Sequence, residues 1–101
     1  MVSKQLKKIS FRIRRQYFDD IVSGKKKFEL RKLSSFWIRR LIYNKPEVAV
    51  FVCGKDIHRR KIISISVGTP ESYLGRELSG QGKKDIPTDM CIGTGLGDIV
   101  K

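Results

Sequence analysis

Along the first part of the chain, the spacing of apolar residues changes from strand-like to helical and back. The segment "ISFRI" (9–13) alternates and contains branched residues, which predicts a strand with one apolar face. From Arg14 the spacing becomes helical, and Ser23-Gly24 ends it, because glycine takes a left-handed C-terminal position without strain. The apolar residues assigned to this strand and helix are Ile9, Phe11, Ile13, Tyr17, Phe18, Ile21 and Val22.

The next two segments differ in how clearly they indicate a structure. "KKFELRKL" (26–33) alternates again, which predicts a strand with two faces, Phe28 and Leu30 on one and Lys27, Glu29 and Arg31 on the other. "SSFWIRRLIYN" (34–44) fits a helical stripe but consists of good strand formers. We interpret it as a short helix or an irregular crossover, with a serine at its start as cap.

The middle of the chain predicts a β-hairpin. "VAVFVCG" (48–54) is a nearly continuous apolar run, typical of a central strand, and "KIISISVG" (61–68) is its antiparallel partner. The intervening "KDIHRR" (55–60) is interpreted as a basic turn that exposes His58. In the second strand, the residues expected to face inward are Ile63, Ile65 and Val67.

The last third is the least readable part. "TPESYLGRELS" (69–79) begins as a helix does, with Thr69 as cap and Pro70 at the first position. "GQGKKDIPTD" (80–89) is interpreted as a loop, and "MCIGTGLGDIVK" (90–101) as one or two strand fragments broken by glycines. The complete pattern predicts one α+β domain, a small and mostly antiparallel sheet curled into a barrel with two or three short helices at its rim.

The charge balance indicates a polyanionic partner. The 101 residues include 22 Lys and Arg against 10 Asp and Glu, a formal charge of +12. Such a field attracts nucleic acids and other phosphate-bearing ligands. Two alternative explanations of the positive charge are a general need for solubility and binding to a membrane surface. The basic residues are spread along the whole chain, which favours a charged surface with a site on it over a basic tail.

No metal site, cofactor or export signal is predicted. Cys53 and Cys91 form no C-x-x-C pair, and only His58 could join them at a zinc ion. The glycine run "GTGLGD" (93–98) lacks the following βαβ unit of a dinucleotide site. The N-terminus has no apolar segment of the secretory kind. We therefore expect a cytoplasmic protein with two reduced thiols, a structural disulfide being the alternative.

The segment "SGKKKFELRK" (23–32) carries the candidate chemistry. On a strand, Glu29 lies between cations that keep it ionised and oriented, while Arg31 offers a planar donor fork to a phosphate or a base edge. Gly24 permits a tight turn and the close approach of a ligand. The alternative is an exposed strand face whose ion pairs contribute only ~0–1 kcal/mol each.

The stretch "YFDDIVSGKKKFELR" (17–31) resembles the signature of the ASCH domain family, a relative of the PUA-like RNA-binding folds. The family motif G-x-K-x-x-E-x-R is matched by Gly24, Lys26, Glu29 and Arg31. The resemblance extends over about residues 9–68. It implies a single PUA-like barrel over residues 1–101, with a cleft beside the first helix that receives RNA, another nucleic acid or a nucleoside.

The resemblance also implies an alternative activity. Some similar proteins are amidohydrolases that act on acylated cytidine, or RNases. In the amidohydrolase type, the motif lysine acts with a hydroxyl residue and a distant glutamate. Lys26 matches that lysine, but Glu29 stands where the enzyme has threonine; the later glutamate would be Glu71 or Glu77. Enzymatic activity is therefore left open, with Lys26 and Glu29 as the catalytic residues if it exists.

Other basic and aromatic residues are candidates for ligand contacts. Arg59 and Arg60 are expected to contact phosphates if RNA binds. Phe36 or Trp37, beside Arg39-Arg40, could stack a base as in single-strand binders, or belong to the core. A third hypothesis is a regulatory or phage accessory protein that binds another protein.

Overall fold

The chain forms a curled five-stranded sheet with short helices beside it. The structure, a computed structural model, describes residues 6–74 and 90–100. The strands are β1 (Lys8–Arg12), β2 (Phe28–Lys32), β3 (Val48–Cys53), β4 (Asp56–Gly68) and β5 (Cys91–Ile99). The helices are α1 (Arg15–Ser23), α2 (Ser35–Trp37), which continues as a π-helix (Ile38–Tyr43), and α3 (Pro70–Leu74).

The sheet has the order β1-β3-β4-β5-β2. The β1–β3 pair is parallel and the other three pairs are antiparallel. The sheet curls into a half-barrel, which confirms the predicted small, mostly antiparallel α+β barrel with short helices. Strands β1 and β2 are therefore the two ends of the described sheet.

The apolar faces of β1 and α1 meet in the core. Ile9 and Phe11 are buried as predicted, and Phe18 and Ile21 of α1 pack with them. Phe11 stacks on Phe51 of β3, with ring centroids 5.5 Å apart. Burial of each large apolar side chain stabilises the fold by about 1.5–3 kcal/mol. The parallel β1–β3 pair and α1 thus form the base on which β2 is placed.

The end of α1 turns the chain toward β2. Arg14 makes no side-chain cap at the start of this helix. At the other end, Gly24 has φ 86° and donates its backbone N–H to the Ile21 carbonyl at 3.2 Å. The Lys26 N–H then reaches the Asp20 carbonyl at 3.0 Å. Because φ is positive, this turn favours glycine for its backbone alone.

The ambiguous segment 34–44 is helical but wider than an α-helix. The Ser34 hydroxyl accepts the Trp37 N–H at 3.4 Å, which confirms the serine cap. The Asn44 N–H then bonds the Arg39 carbonyl five residues earlier, the spacing of a π-helix. Short π-helical turns occur frequently at functional sites. This turn buries Leu41 fully and leaves Tyr43 exposed.

The predicted hairpin is present, but two details of it were wrong. The turn is only Gly54-Lys55, and β4 already begins at Asp56, so "KDIHRR" is mostly strand. Along β4, Ile63 and Val67 are exposed, while Ile62 and Ile65 pack against the core. The register shifts on both sides of Ile62, and this bulge places Ile62 instead of Ile63 on the inner face. The predicted inward position of Ile65 is confirmed.

The glycine-rich end is one continuous strand instead of broken fragments. β5 lies between β4 and β2 and hydrogen-bonds to both. A Cβ atom at Gly93 would overlap the ring of Tyr73 from α3. Gly93 therefore lets the tyrosine ring pack on β5 and does not interrupt the strand. Because side chains alternate along a strand, the next residue, Thr94, projects to the opposite face.

The remaining expectations are confirmed in part. α3 begins at Pro70, and the Ser72 N–H bonds the Thr69 hydroxyl at 3.4 Å. The predicted continuation over 75–79 and the loop 80–89 lie outside the described residues. Cys53 and Cys91 are free thiols; burial, and secondarily the charge of Glu71, raise the pKa of Cys91. None of the helices in the described ranges is long and apolar enough to span a bilayer.

Arg60 ties three elements together. Its guanidinium donates to the Ile21 carbonyl at the end of α1 (2.8 Å) and to the Gly97 carbonyl of β5 (3.0 Å). Its Nε donates to Nε2 of His58 at 2.9 Å, which requires a neutral imidazole. Burial, and then the charge of Arg60, lower the pKa of His58 below its ordinary value of 6.5. His58 is thus half-buried in β4, not exposed in a turn as predicted.

Acidification should destabilise the protein through His58. Because the folded-state pKa of His58 is lowered, the unfolded chain binds this proton more tightly. The stability is fully present above the unfolded pKa of about 6.5 and falls as the pH drops through the folded pKa. Urea unfolding at about pH 7.5 and about pH 5.5 measures the effect.

The control is His58→Gln, which keeps an acceptor for Arg60 and removes the chain's one histidine. This variant should lose most of the pH dependence between these two conditions. An equal loss of stability on acidification in both proteins would contradict the assignment to His58.

Candidate functional site

The Glu29 carboxylate lies inside the protein between two cations. Glu29 is only 5% exposed, in the middle of β2. Its Oε2 is 2.8 Å from NH2 of Arg31, and its Oε1 is 3.5 Å from Nζ of Lys26. A buried carboxylate must be paired to offset its desolvation. The exposed strand face considered for this segment is therefore wrong, and Lys26, Glu29 and Arg31 form one cluster, here called the motif cluster.

Lys26 joins the motif cluster although alternation would place it on the other face. It precedes β2, which begins at Phe28, so the strand's pleat does not set its direction. Its Nζ donates to the Phe28 carbonyl at 2.7 Å and lies 6.0 Å from the centroid of the Tyr17 ring. Lys26 is thus held by β2 and faces α1, with its side chain 14% exposed.

Arg31 connects the motif cluster to the aromatic core. Its guanidinium carbon is 4.9 Å from the Trp37 ring centroid and 5.1 Å from that of Phe11. These two rings stack on each other at 5.5 Å. Cation–π contacts of this kind contribute about 0.5–2 kcal/mol, more as the cation is desolvated. Trp37 therefore packs in the core and beside Arg31, whereas its neighbour Phe36 is exposed.

Two buried polar atoms near Glu29 have no hydrogen-bond partner among the described residues. They are Nε of Arg31 and the hydroxyl oxygen of Thr94, a fully buried residue. Thr94 lies directly opposite Glu29 in the β2–β5 pair. More than 90% of buried polar groups in proteins are satisfied by protein or by ordered water, so a water or another polar group is expected beside these two atoms.

Sequence reasoning did not single out Thr94. The available signal was the alternation in "GTGLG": glycines on one face admit a packing neighbour, and the threonine between them then faces the interior. The interior position and the register opposite Glu29 depend on the complete sheet. Only the structure relates Thr94 to the motif.

The other predicted site residues lie apart from the motif cluster. Gly24 is exposed at the end of α1, and its geometry serves the turn. The Arg60 guanidinium is engaged by carbonyls and His58 as described, and Arg59 lies opposite Val50 in the β3–β4 pair. Their ligand contacts stay predictions. Glu71 is exposed on α3, and Glu77 lies outside the described residues.

A cavity of about 310 Å³ adjoins the motif cluster on the other side of Trp37. It lies between β1 and the α2–π-helix segment, and its lining residues are Lys8, Ile9, Ser10, Phe36, Trp37, Arg40 and Asn44. The four motif residues do not belong to this lining. Among all the residues that the structure describes, no group of three His, Cys, Asp or Glu side chains is suited to hold a metal ion.

Removal of the Glu29 carboxylate should destabilise the fold strongly. Glu29→Ala leaves Lys26 and Arg31 without their shared anion in a buried position, a loss of about 3–5 kcal/mol. Glu29→Gln keeps the shape of the side chain and one hydrogen-bond acceptor, so the loss of stability should be smaller in this variant. Urea unfolding provides the free energies.

Asp19→Ala is the matched control, because Asp19 pairs with Arg15 at 3.7 Å on the exposed surface of α1. This variant should change the stability little, since solvent screens the pair. Similar losses for Glu29→Ala and Asp19→Ala would show that the motif cluster is not a buried ion pair in solution.

Comparisons with known proteins support the fold. The chain matches no family model and no curated protein. Among solved structures, it is similar to the crystal structure of a mutant of ZmASCH from Zymomonas mobilis, with 23% sequence identity and a TM-score of 0.64. The match covers 91% of this chain and 68% of that one. The described half-barrel is therefore the fold of an ASCH protein.

Proposed function

We propose that this chain is an ASCH domain that binds single-stranded RNA at the motif cluster. Three observations support the proposal together. The fold is that of an ASCH protein, every fixed position of G-x-K-x-x-E-x-R is filled, and the chain carries a formal charge of +12. The fold alone does not specify a function, whereas the residues of the motif cluster can.

The observation that carries the proposal is the set of unpaired polar atoms around Glu29. Arg31 uses NH2 to bind the carboxylate, while its Nε is buried and has no partner among the described residues. The Arg31 side chain is still 24% exposed, and a phosphate oxygen or a base edge is the acceptor that such a guanidinium takes. Glu29 holds the guanidinium in place, so little conformational entropy is lost when a ligand binds.

The lysines around the cluster supply the nonspecific part of the binding. Lys25 and Lys27 are exposed on either side of Lys26, and Lys32 is exposed at the end of β2. Neutralisation of phosphates by such residues releases counterions, which is the main source of affinity in sequence-independent binding. The motif cluster would then orient the strand that the surface charge attracts.

The geometry supports binding better than hydrolysis, because Arg31 is the most exposed side chain of the motif cluster, at 24%. The Lys26 and Glu29 side chains are paired with each other and with internal partners, and only 14% and 6% of their surfaces are exposed. Thr94, the hydroxyl residue opposite Glu29, is fully buried. A catalytic base and a nucleophile must reach the scissile bond within hydrogen-bond distance.

RNA affinity should depend steeply on salt. We expect log K to fall by roughly 0.7 for each phosphate contacted per decade of salt concentration, so three contacts give roughly a hundredfold loss. Fluorescence anisotropy with a labelled oligouridine of about 12 nucleotides measures this slope. An affinity that does not change with salt would contradict the proposal.

Lys26→Met should weaken RNA binding more than Lys25→Met. Both substitutions remove one positive charge, but only Lys26 contacts Glu29 and the Phe28 carbonyl. We expect Lys26→Met to lower the affinity about tenfold beyond Lys25→Met, the equivalent of about 1.4 kcal/mol. The same anisotropy assay applies, with circular dichroism to check folding.

Equal affinities of the Lys26→Met and Lys25→Met variants would exclude the motif cluster from RNA binding. Turnover of acylated cytidine or cleavage of the RNA, abolished by Lys26→Met alone, would favour the hydrolase instead.

A further inference from the structure

The cavity between β1 and the π-helix has the composition of a nucleotide site. Its volume of about 310 Å³ is within the range of small-ligand pockets. Lys8 and Arg40 contribute two positive charges, and none of its described lining residues is acidic. Phe36 and Trp37 contribute aromatic surface to the same lining. A ligand with both an aromatic ring and a negative charge complements this combination.

Phe36 is placed to stack a base. It is 53% exposed although it is a large apolar residue, so its ring is available to a ligand. The Arg40 guanidinium carbon lies 4.0 Å from its centroid, and Trp37 contacts it edge-on with centroids 4.9 Å apart. The phenyl ring and the guanidinium thus form a stacked platform, and both kinds of surface stack unpaired bases in RNA-binding proteins.

The polar residues of the cavity suit the rest of a nucleotide. Lys8 is exposed on β1 and Arg40 on the π-helix, so the two charges come from opposite walls. Ser10 and Asn44 offer hydrogen-bonding groups to a base edge or ribose. β1 is also an end strand of the described sheet, and such strands carry backbone groups that no neighbouring strand takes up.

The cavity is physically connected to the motif cluster. Trp37 lines the cavity, and its ring lies 4.9 Å from the Arg31 guanidinium carbon. A strand bound at Arg31 is therefore close to a second position for its next nucleotides. Contact through a shared side chain also allows occupation of one position to affect the other.

We propose that this cavity binds one unpaired nucleotide, with the base on the Phe36–Arg40 platform and the phosphate between Lys8 and Arg40. The proposal rests on the proposed function in that the ligand is RNA. It adds a second nucleotide-binding position, formed by residues outside the motif. A free nucleoside monophosphate and a nucleotide within a strand share this chemistry, and both are tested below.

Trp37 provides the readout, because it lines the cavity and is the chain's one tryptophan. Uridine monophosphate, adenosine monophosphate and the oligouridine are each titrated against the indole fluorescence. We expect saturable quenching by the mononucleotides, and competition between them and the oligouridine for the cavity.

The variants compare lining residues with exposed neighbours on the same segment. Phe36→Leu removes the aromatic face and should weaken mononucleotide binding roughly five- to a hundredfold, as loss of one base stack does. Phe36→Tyr should retain the affinity. Tyr43→Leu is the control, because Tyr43 is exposed on the π-helix and outside the cavity lining. Arg40→Gln and Arg39→Gln form the second pair, since Arg39 is exposed and also outside the lining.

The outcomes separate this inference from the proposed function. Absence of saturable quenching by mononucleotides, or equal effects of Phe36→Leu and Tyr43→Leu, overturns the nucleotide site even if the oligouridine still binds in a Lys26-dependent manner. Mononucleotide binding that depends on Phe36 and Arg40 supports the site. If Lys26→Met then leaves oligouridine affinity equal to that of Lys25→Met, the motif cluster is excluded and the cavity is retained.

Discussion

The ion pair between Arg31 and Glu29 connects the fold to the site. In a chain with a formal charge of +12, one carboxylate is placed inside the sheet and 2.8 Å from a guanidinium. Desolvation of this charge is acceptable only because Arg31 and Lys26 both approach it. Arg31 also lies against Trp37 of α2, and Lys26 lies near Tyr17 of α1, so β2, α1 and α2 meet around this buried interaction.

Local patterns predicted the elements whose environment repeats regularly. The strand at 9–13, the helix ended by Gly24 and the alternation of β2 follow from spacing and turn chemistry alone. The predictions were wrong where contacts between residues distant in sequence determine the local structure. The bulge at Ile62 reverses the face of Ile63, and Tyr73 of α3 packs on Gly93 and makes a glycine-rich segment a good strand.

The motif identified all three residues of the motif cluster, but the sequence could not show how their side chains meet. The direction of Lys26 depends on where β2 begins, and Thr94 enters the site through strand pairing across a long sequence separation. The sequence also could not predict which aromatic residue is exposed. Phe36 and Trp37 are adjacent in sequence, yet of these two only Phe36 is exposed. The cavity beside β1 depends on the packing of the π-helix, which the sequence does not show.

The most direct test of this account is the side-chain NMR signal of Arg31. The Nε–H group is buried and has no hydrogen-bond partner among the described residues. Its proton, whose resonance is assigned by its loss in Arg31→Lys, should therefore exchange slowly with water. On titration with oligouridine it should shift in a saturable way, at the concentration at which anisotropy reports binding. A resonance that stays unchanged at saturation would contradict the claim that the motif cluster contacts RNA.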